Sequence, residues 1–281
     1  MRPPRARNAP VNRVRKNRWL ADFRSYRSDV SEARIEEWLQ QFRAADRDIA
    51  ARVLDVVDFY GPQRIAQAYR TLLATLPGWH ERAADRQGRW KFVAMSSSEG
   101  DSGGSMLHHF RLATRLDRRI YDGLFAHRSE LLQLGLGADD TVVLLDDFIG
   151  TGNQVSTAWD EAFSELVAGV GNVYLMVVAA RRRGVDLVRE RTGLSVLSGV
   201  ELHDSDDIFS EDCPHFTSDE KATFLRYCRR ANKQFPAGYG KCGLVVVFSH
   251  RCPNDSVPAL HAWHERWQGL FPRNDVLAVP A

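Results

Sequence analysis

The stretch VVLLDDFIGTGNQ, Val142 to Gln154, decides how the chain folds around it. Its first four residues are apolar and two are β-branched, which suits a strand covered on both faces in a parallel sheet. Such strands deliver their following loops to a ligand crevice at the carboxyl edge of the sheet. With the strand predicted over 142–146, Asp146 and Asp147 stand at that edge. The chain then turns through Gly150, Thr151 and Gly152 into a helix predicted over 153–167. Backbone N–H groups gathered in a turn beside a helix start bind phosphate. Paired acids next to a phosphate cradle match a sugar phosphate. The carboxylates accept hydrogen bonds from vicinal hydroxyls, while amides and the Thr151 hydroxyl hold phosphate oxygens.

Other α/β proteins also place an Asp-Asp pair after an apolar strand, among them ATPases, receiver domains and further Mg²⁺-dependent proteins. The chain has no GxxxxGK[ST], so an ATPase would lack its phosphate loop. A receiver domain would not be expected to follow its acids with Gly-Thr-Gly.

Working outward, strands are predicted at 91–95, 172–179, 194–200 and 244–249, with helices at 106–121, 185–191 and 217–235 between them. This alternation indicates βαβ units and a parallel sheet. After the first strand, Ser96 to Ser105 are small or polar, a composition that brings backbone N–H groups close to an anion and equally serves as a flexible connector. Arg181, Arg182 and Arg183 follow the 172–179 strand on the crevice edge, placed either to meet a ligand or to form a solvated turn.

Upstream, helices are predicted over 31–42, with Ser31 as N-cap, and over 48–60 and 63–76, separated by Gly61-Pro62. The last two admit a helix-turn-helix reading, but the second shows only Arg64 and Arg70 as cations, so a helical cap on the sheet is favoured. The predicted organisation is a basic disordered tail at 1–18, a helical region at 19–80, an α/β domain at 88–273 and a short tail at 274–281.

At 281 residues and 44% hydrophobic content, the chain can bury a large α/β core. No apolar run approaches the roughly 18 residues of a membrane helix. The four cysteines, Cys213, Cys228, Cys242 and Cys252, are scattered in a way that fits a reducing cytoplasm. Cys213-Pro214-His215 and His250-Arg251-Cys252 resemble halves of a zinc site but lack finger or ribbon spacing. The net charge of +2 hides an asymmetry: residues 1–18 carry seven cations and no acid, leaving 31 basic against 36 acidic residues elsewhere. That tail is a candidate contact for nucleic acid or an acidic partner, or a plain solvated extension.

The central motif resembles the ribose-phosphate loop of type I phosphoribosyltransferases: an apolar strand, D/E-D, three residues, T-G, one residue, T/S. Asp146-Asp147, Phe148-Ile149-Gly150, Thr151-Gly152, Asn153 and Gln154 fill those places. The resemblance implies a Rossmann-like parallel sheet with helices on both faces and an N-terminal helical region. It implies that Asp146 and Asp147 bind the ribose hydroxyls, serving as the catalytic acids if the protein is an enzyme. Gly150, Thr151, Gly152, Asn153 and Gln154 would wrap the 5′-phosphate. Ser102, Gly103, Gly104 and Ser105 would hold a diphosphate with Arg111 as its cation, and Mg²⁺ would enter with the ligand and meet Asp146 and Asp147 indirectly. Two places depart from the pattern. Gln154 replaces the last hydroxyl residue, and Gly150 replaces the acid that many purine enzymes carry before the threonine, so binding is better supported than base-assisted transfer.

Further segments, SGGSMLHHFR at 102–111, FSHRCPNDSVP at 248–258 and WQGLFPR at 267–273, resemble the PRTase-CE branch, whose members are expected to act with partner proteins in bacterial conflict and anti-phage systems. In that branch the 248–258 turn leads into an aromatic helix. Between Tyr121 and Thr141 the sequence shows helix and turn in place of the paired strands that salvage enzymes of this fold close over their reaction. Three functions follow: a Mg²⁺-dependent phosphoribosyltransferase, a nucleotide sensor without turnover, and, ranked last, a DNA-associated regulator.

Overall fold

The computed structural model describes residues 11–95 and 103–273, the side chains of 103–105 excepted. In chain order the principal elements are α1 (Arg13–Phe23), α2 (Glu32–Gln40), α3 (Arg47–Val56), β1 (Asp58–Tyr60), α4 (Pro62–Thr75), β2 (Trp90–Ala94), α5 (Gly103–Ala113) and β3 (Thr141–Ile149). They continue with α6 (Asn153–Ala158), β4 (Asn172–Arg181), α7 (Arg182–Thr192), β5 (Ser195–Leu202), α8 (Ser218–Ala231), β6 (Val246–Phe248), α9 (Pro258–His261), β7 (Trp263–His264) and β8 (Trp267–Gln268). The chain divides into two compact units, Gln63–Leu202 and the remainder, a different partition from the predicted boundary between 80 and 88.

The unit from Gln63 to Leu202 is built on a parallel sheet in the order β2-β3-β4-β5. Its centre explains the apolar run. Val142, Val143, Leu144 and Leu145 of β3 are all fully buried, because strands pair on both sides and helices cover both faces. On one face Val142, Leu144, Leu175 and Val177 pack with Val155 of α6 and Val185 and Val188 of α7. On the other, Phe92 of β2 meets Phe110 of α5 with ring centroids 4.8 Å apart, and Phe110 meets Tyr69 of α4.

The predicted helix over 153–167 holds as α6 only to Ala158, then widens into a π-turn at Trp159–Phe163. The helix predicted over 106–121 starts earlier, at Gly103, and stops at Ala113, where Arg115 takes a positive φ of 61°. Two 3₁₀ segments, Arg119–Leu124 and Arg128–Leu134, fill the space before β3.

Asp140, one residue before β3, fastens β3 to the start of β2. Its carboxylate accepts from the Arg89 amide (2.6 Å), from Arg89 Nη2 (2.7 Å) and from the Gly137 amide (2.8 Å). The Arg89 side chain leads these donors in holding the Asp140 pKa at about 2, against the opposing effect of burial.

The second unit, reaching to Pro62 and resuming at His203, pairs β1 with β6 in parallel and closes the antiparallel hairpin β7–β8. Its core is aromatic. Phe42 packs against Trp38, Tyr227 and Trp267 with centroids 4.9, 4.5 and 5.4 Å away. The Trp38 and Trp267 indoles both donate to the Ala259 carbonyl, at 2.8 and 3.0 Å, so each buried N–H is satisfied. Three expectations change here.

The predicted helix over 48–60 ends at Val56, and Asp58–Tyr60 form a strand against Val246–Phe248. α3 and α4 are thus separated by a strand, which removes the helix-turn-helix reading. The predicted aromatic helix after the 248–258 turn is instead α9 followed by the hairpin β7–β8.

The chain is helical from Arg13, inside the predicted disordered tail; the Asn12 side chain caps α1 by accepting from the Arg15 amide at 2.9 Å, and Trp19 is fully buried. Three cations of α1 are paired within the unit. Arg15 pairs with Asp55 at 2.6 Å, Arg18 also pairs with Asp55, and Lys16 pairs with Glu32 and Glu36. The Trp19 indole donates to the same Asp55 carboxylate at 2.9 Å.

Two stability predictions follow. Asp55→Ala removes the shorter ion pair of the nearly buried Arg15, leaving Asp48 at 3.7 Å, and takes the acceptor from the Trp19 indole, and should cost on the order of 2 kcal/mol in urea denaturation. Asp140 has a folded pKa below its unfolded value of about 3.9, so its contribution is present above about pH 4 and is lost as pH falls towards 2. Asp140→Asn should flatten that part of the acid limb in melts taken across pH, and an unaltered limb would contradict the assignment.

Candidate functional site

β3 carries both predicted acids, but it does not end at them. The strand predicted over 142–146 runs on to Ile149, with Phe148 and Ile149 paired to Ala179 and Ala180 of β4. The register of β3 on β4 is irregular beside the acids. Asp146 pairs with Val177 and Phe148 with Ala179, and on β4's other side Val177 pairs with Ser198 and Ala179 with Val200. The register skips the row of Asp147, Val178 and Gly199 between them. The alternation of faces slips across this row: Val142, Leu144, Leu175 and Val177 lie in one core before it, and Ile149 and Ala180 join that core after it.

Two side chains also engage the peptide joining Asp146 to Asp147. The Asp147 amide donates to Asp146 Oδ1 at 2.9 Å, and the Asp146 carbonyl accepts from the Tyr69 hydroxyl at 3.2 Å. Asp146 is buried, 8% exposed, and Asp147 is half-buried. Tyr69 is fully buried, and its phenol is driven well above its usual pKa by burial first and then by the fields of Asp147 and Asp146. Both carboxylates therefore act on one phenol.

Beyond β3 the loop Gly150-Thr151-Gly152 is packed backbone to backbone against α7. Gly152 has φ +83°, and a Cβ there would stand 2.6 Å from the Gly184 carbonyl. A Cβ on Gly184 would stand 2.2 Å from the Gly150 carbonyl. The Thr151 hydroxyl accepts from the Asn153 amide at 3.3 Å, which turns the chain into α6. Asn153 and Gln154 are exposed. The fold thus brings Asp146, Asp147 and Gly150 to Gln154 into one strand, loop and helix start.

The second predicted anion site is only partly visible. Ser102 lies outside the described residues, and Gly103, Gly104 and Ser105 form the first turn of α5 in place of a loop. Arg111 sits further along that helix, paired with Asp122 at 2.7 Å and stacked over the Phe125 ring at 4.5 Å. Its charge is used to hold the 3₁₀ segment, which the analogy with a diphosphate cation did not foresee.

Of the three arginines considered as a solvated turn, Arg181 ends β4 and is buried, while Arg182 and Arg183 open α7. Since Ile149 pairs with Ala180, the next row sets Arg181 beside Gly150. Arg182 is exposed and pairs with Glu201 at 3.0 Å and Asp186 at 3.4 Å.

Tyr69 was not foreseen at all, because its place in the apolar spacing of α4 reads as core. A cavity of about 400 Å³ lies at the opposite, amino ends of β4 and β5, lined by residues such as Trp159, Asn172, Tyr174 and Ser195, and contains none of the predicted site residues. Among the described residues no three His, Cys, Asp or Glu side chains converge to hold a metal ion, and all four cysteines are free and buried.

A family model, PRTase-CE, matches residues 35–273. Among curated proteins none matches this sequence. Solved structures similar to the chain include a hypoxanthine-guanine-xanthine phosphoribosyltransferase, with 12% identity and TM-score 0.31 over 51% of this chain and 77% of that one. Orotate phosphoribosyltransferase of Mycobacterium tuberculosis H37Rv in complex with inorganic phosphate shows 17% identity and TM-score 0.29, covering 54% of this chain and 71% of the other. The same enzyme with 5-phospho-alpha-D-ribosyl 1-diphosphate shows 19% identity and TM-score 0.29, covering 57% and 81%.

The glycine contacts generate a direct test. Gly184→Ala puts a methyl group onto backbone that has no rotamer to yield, and should cost about 1–3 kcal/mol. Gly123→Ala, where a Cβ meets nothing within 4 Å, should be nearly neutral in the same denaturation series.

Proposed function

From the membership of this chain in the PRTase-CE family, a branch of the phosphoribosyltransferase-like superfamily, we propose that it binds the ribose 5-phosphate moiety of phosphoribosyl diphosphate or of a nucleotide at the carboxyl end of β3. The observation that carries this reading is the junction itself: two carboxylates at an irregular row of the sheet, followed at once by a glycine turn clamped on α7.

In this proposal Asp146 and Asp147 accept from the 2′ and 3′ hydroxyls and orient the sugar. The amides of Gly150 to Gln154 and the Thr151 hydroxyl surround the 5′-phosphate, and the first turn of α5 with Ser102 faces the diphosphate. Carboxylate oxygens are suitable partners for Mg²⁺, which keeps several waters and is commonly shared between one or two acids and substrate phosphates. Bound with the diphosphate, Mg²⁺ would neutralise the charge of the leaving group.

Two activities use the same pocket. A transferase would position the ribose for displacement of diphosphate and stabilise an oxocarbenium-like state electrostatically. A sensor would bind without turnover. Gly150 and Gln154, which depart from the enzyme pattern, favour the sensor, as do the 3₁₀ segments that occupy Arg119–Leu124 and Arg128–Leu134, where the described residues form no paired strands.

A role in bacterial defence with partner proteins, in a reducing cytoplasm, completes the proposal. No described helix is long and apolar enough to cross a membrane. Nucleic acid is not proposed as the ligand, since Arg15, Lys16 and Arg18 are paired within the fold.

Phosphoribosyl diphosphate with Mg²⁺ at about 100 times its Kd should stabilise the protein by about 2.7 kcal/mol in thermal melts, and Asp147→Asn should weaken that ligand about ten-fold or more. Diphosphate release in the presence of a panel of bases identifies the transferase, and stabilisation without release identifies the sensor. A protein that neither shifts nor releases diphosphate would overturn both.

A further inference from the structure

The cavity of about 400 Å³ at the amino ends of β4 and β5 belongs to the same unit as the candidate site and lies at the opposite end of its sheet. Asn172 on its wall and Ala180 at the carboxyl edge are separated along β4 by roughly 26 Å, at about 3.3 Å per residue. The cavity is within the roughly 300–1,000 Å³ of small-molecule sites. Among the described residues that line it none is charged, although Asp160, Glu161, Glu165 and Arg191 lie in the same stretches of chain. The lining combines Trp159 and aliphatic side chains with Ser164, Asn172, Thr192 and Ser195.

Backbone contacts set its walls. Trp159 opens the π-turn, in which the Ser164 amide reaches back to the Trp159 carbonyl at 3.0 Å. Such single turns are rare and recur at functional sites. Trp159 is half-buried and packs on the core that contains Val155 and Val185. Gly171 is pressed on the loop before β3: its amide donates to the Gly137 carbonyl at 3.2 Å, and a Cβ there would stand 1.8 Å from the Ala138 carbonyl oxygen. On the far side α7 ends at Gly193, with a left-handed φ of 71°, and the Thr192 hydroxyl ties the Val188 carbonyl to the Leu194 amide at 2.6 and 3.1 Å. A cavity walled in this way loses little to ordering when a ligand enters.

We propose that this cavity is a second binding site, for a flat, uncharged small molecule of one or two rings that carries amide or amine groups, with Trp159 as the ring contact and Ser164, Asn172 and Ser195 as hydrogen-bonding partners. Aromatic rings attract one another in offset or edge-on contact. Ser and Asn side chains offer both donors and acceptors, which suits a ligand whose polar groups lie at the ring edge. A charged ligand would give up water for a lining that holds no counter-charge, so the site selects against it. The inference goes beyond the phosphoribosyl reading and does not depend on it.

The test is calorimetry on the full chain with two pairs of probes that differ in charge and carry no phosphate: benzamide with benzoate, and indole-3-acetamide with indole-3-acetate. The neutral member of each pair should bind about ten-fold tighter or more. Ala168→Phe, which adds a ring at an exposed lining position, should abolish binding of the neutral probes and leave the thermal response to phosphoribosyl diphosphate as in the wild type. Trp159→Leu should weaken the neutral probes about five- to ten-fold. Should one variant fail to fold, the other decides. Equal binding of neutral and charged probes, binding that survives both substitutions, or no binding of either neutral probe overturns the inference. A wild-type protein that takes the neutral probes and ignores phosphoribosyl diphosphate removes the phosphoribosyl reading alone.

Discussion

Backbone pressed on backbone at Gly150, Gly152 and Gly184 is the constraint on which the candidate site depends. Nothing larger than hydrogen fits at Gly152 or Gly184 without displacing a carbonyl. Close-packed interiors yield little to such a displacement, so the loop after β3 has one position relative to α7. That position sets where Thr151 turns the chain and where the amides of the loop point. An anion cradle needs this fixity, since loose amides must be ordered by the ligand at its own expense in binding free energy.

The acid pair obeys a different rule. The β3–β4 register skips the row of Asp147, and the alternation of faces changes across that row. A regular strand sends adjacent side chains to opposite faces, which would leave two neighbouring acids unable to serve one sugar. The irregular row relieves that rule locally, and both carboxylates come within electrostatic reach of Tyr69. α4 supports this irregular row with the Tyr69 hydroxyl on the Asp146 carbonyl and with Ala68 beside Gly199.

The unit containing both chain ends is held by burial of rings and by charge pairs. Its tryptophans and phenylalanines bury large area for little rotamer freedom, and the indoles of Trp38 and Trp267 share a carbonyl that would otherwise need water. Asp55 gathers Arg15, Arg18 and Trp19 at one carboxylate. An amino-terminal run with no acid of its own reads as an unstructured extension; its counter-charges, Asp55, Glu32 and Glu36, come later in the chain.

Local pattern alone determined the parallel α/β class, the apolar strand at 142–145, the contiguous Asp146-Asp147 and Gly150-Thr151-Gly152 segment, and the capped helices beginning after Ser31 and Thr217. These are legible because periodicity, turn chemistry and the Ser31 cap act over a few residues, whereas the helix predicted from 217 takes Thr217 as its cap in place of Ser218 or Asp219. Tertiary structure decided the rest. Asp58–Tyr60 becomes a strand only because Val246–Phe248, far along the chain, offers a pairing edge. WHERWQ becomes a hairpin because the Trp267 ring is needed in the core beside Phe42. Arg111 is spent on Asp122, and Tyr69 reaches Asp146, through contacts between elements that no short window contains. Sequence supplied the chemical groups of the site, and long-range packing set the directions in which they point, because direction depends on neighbours that only the folded chain brings near.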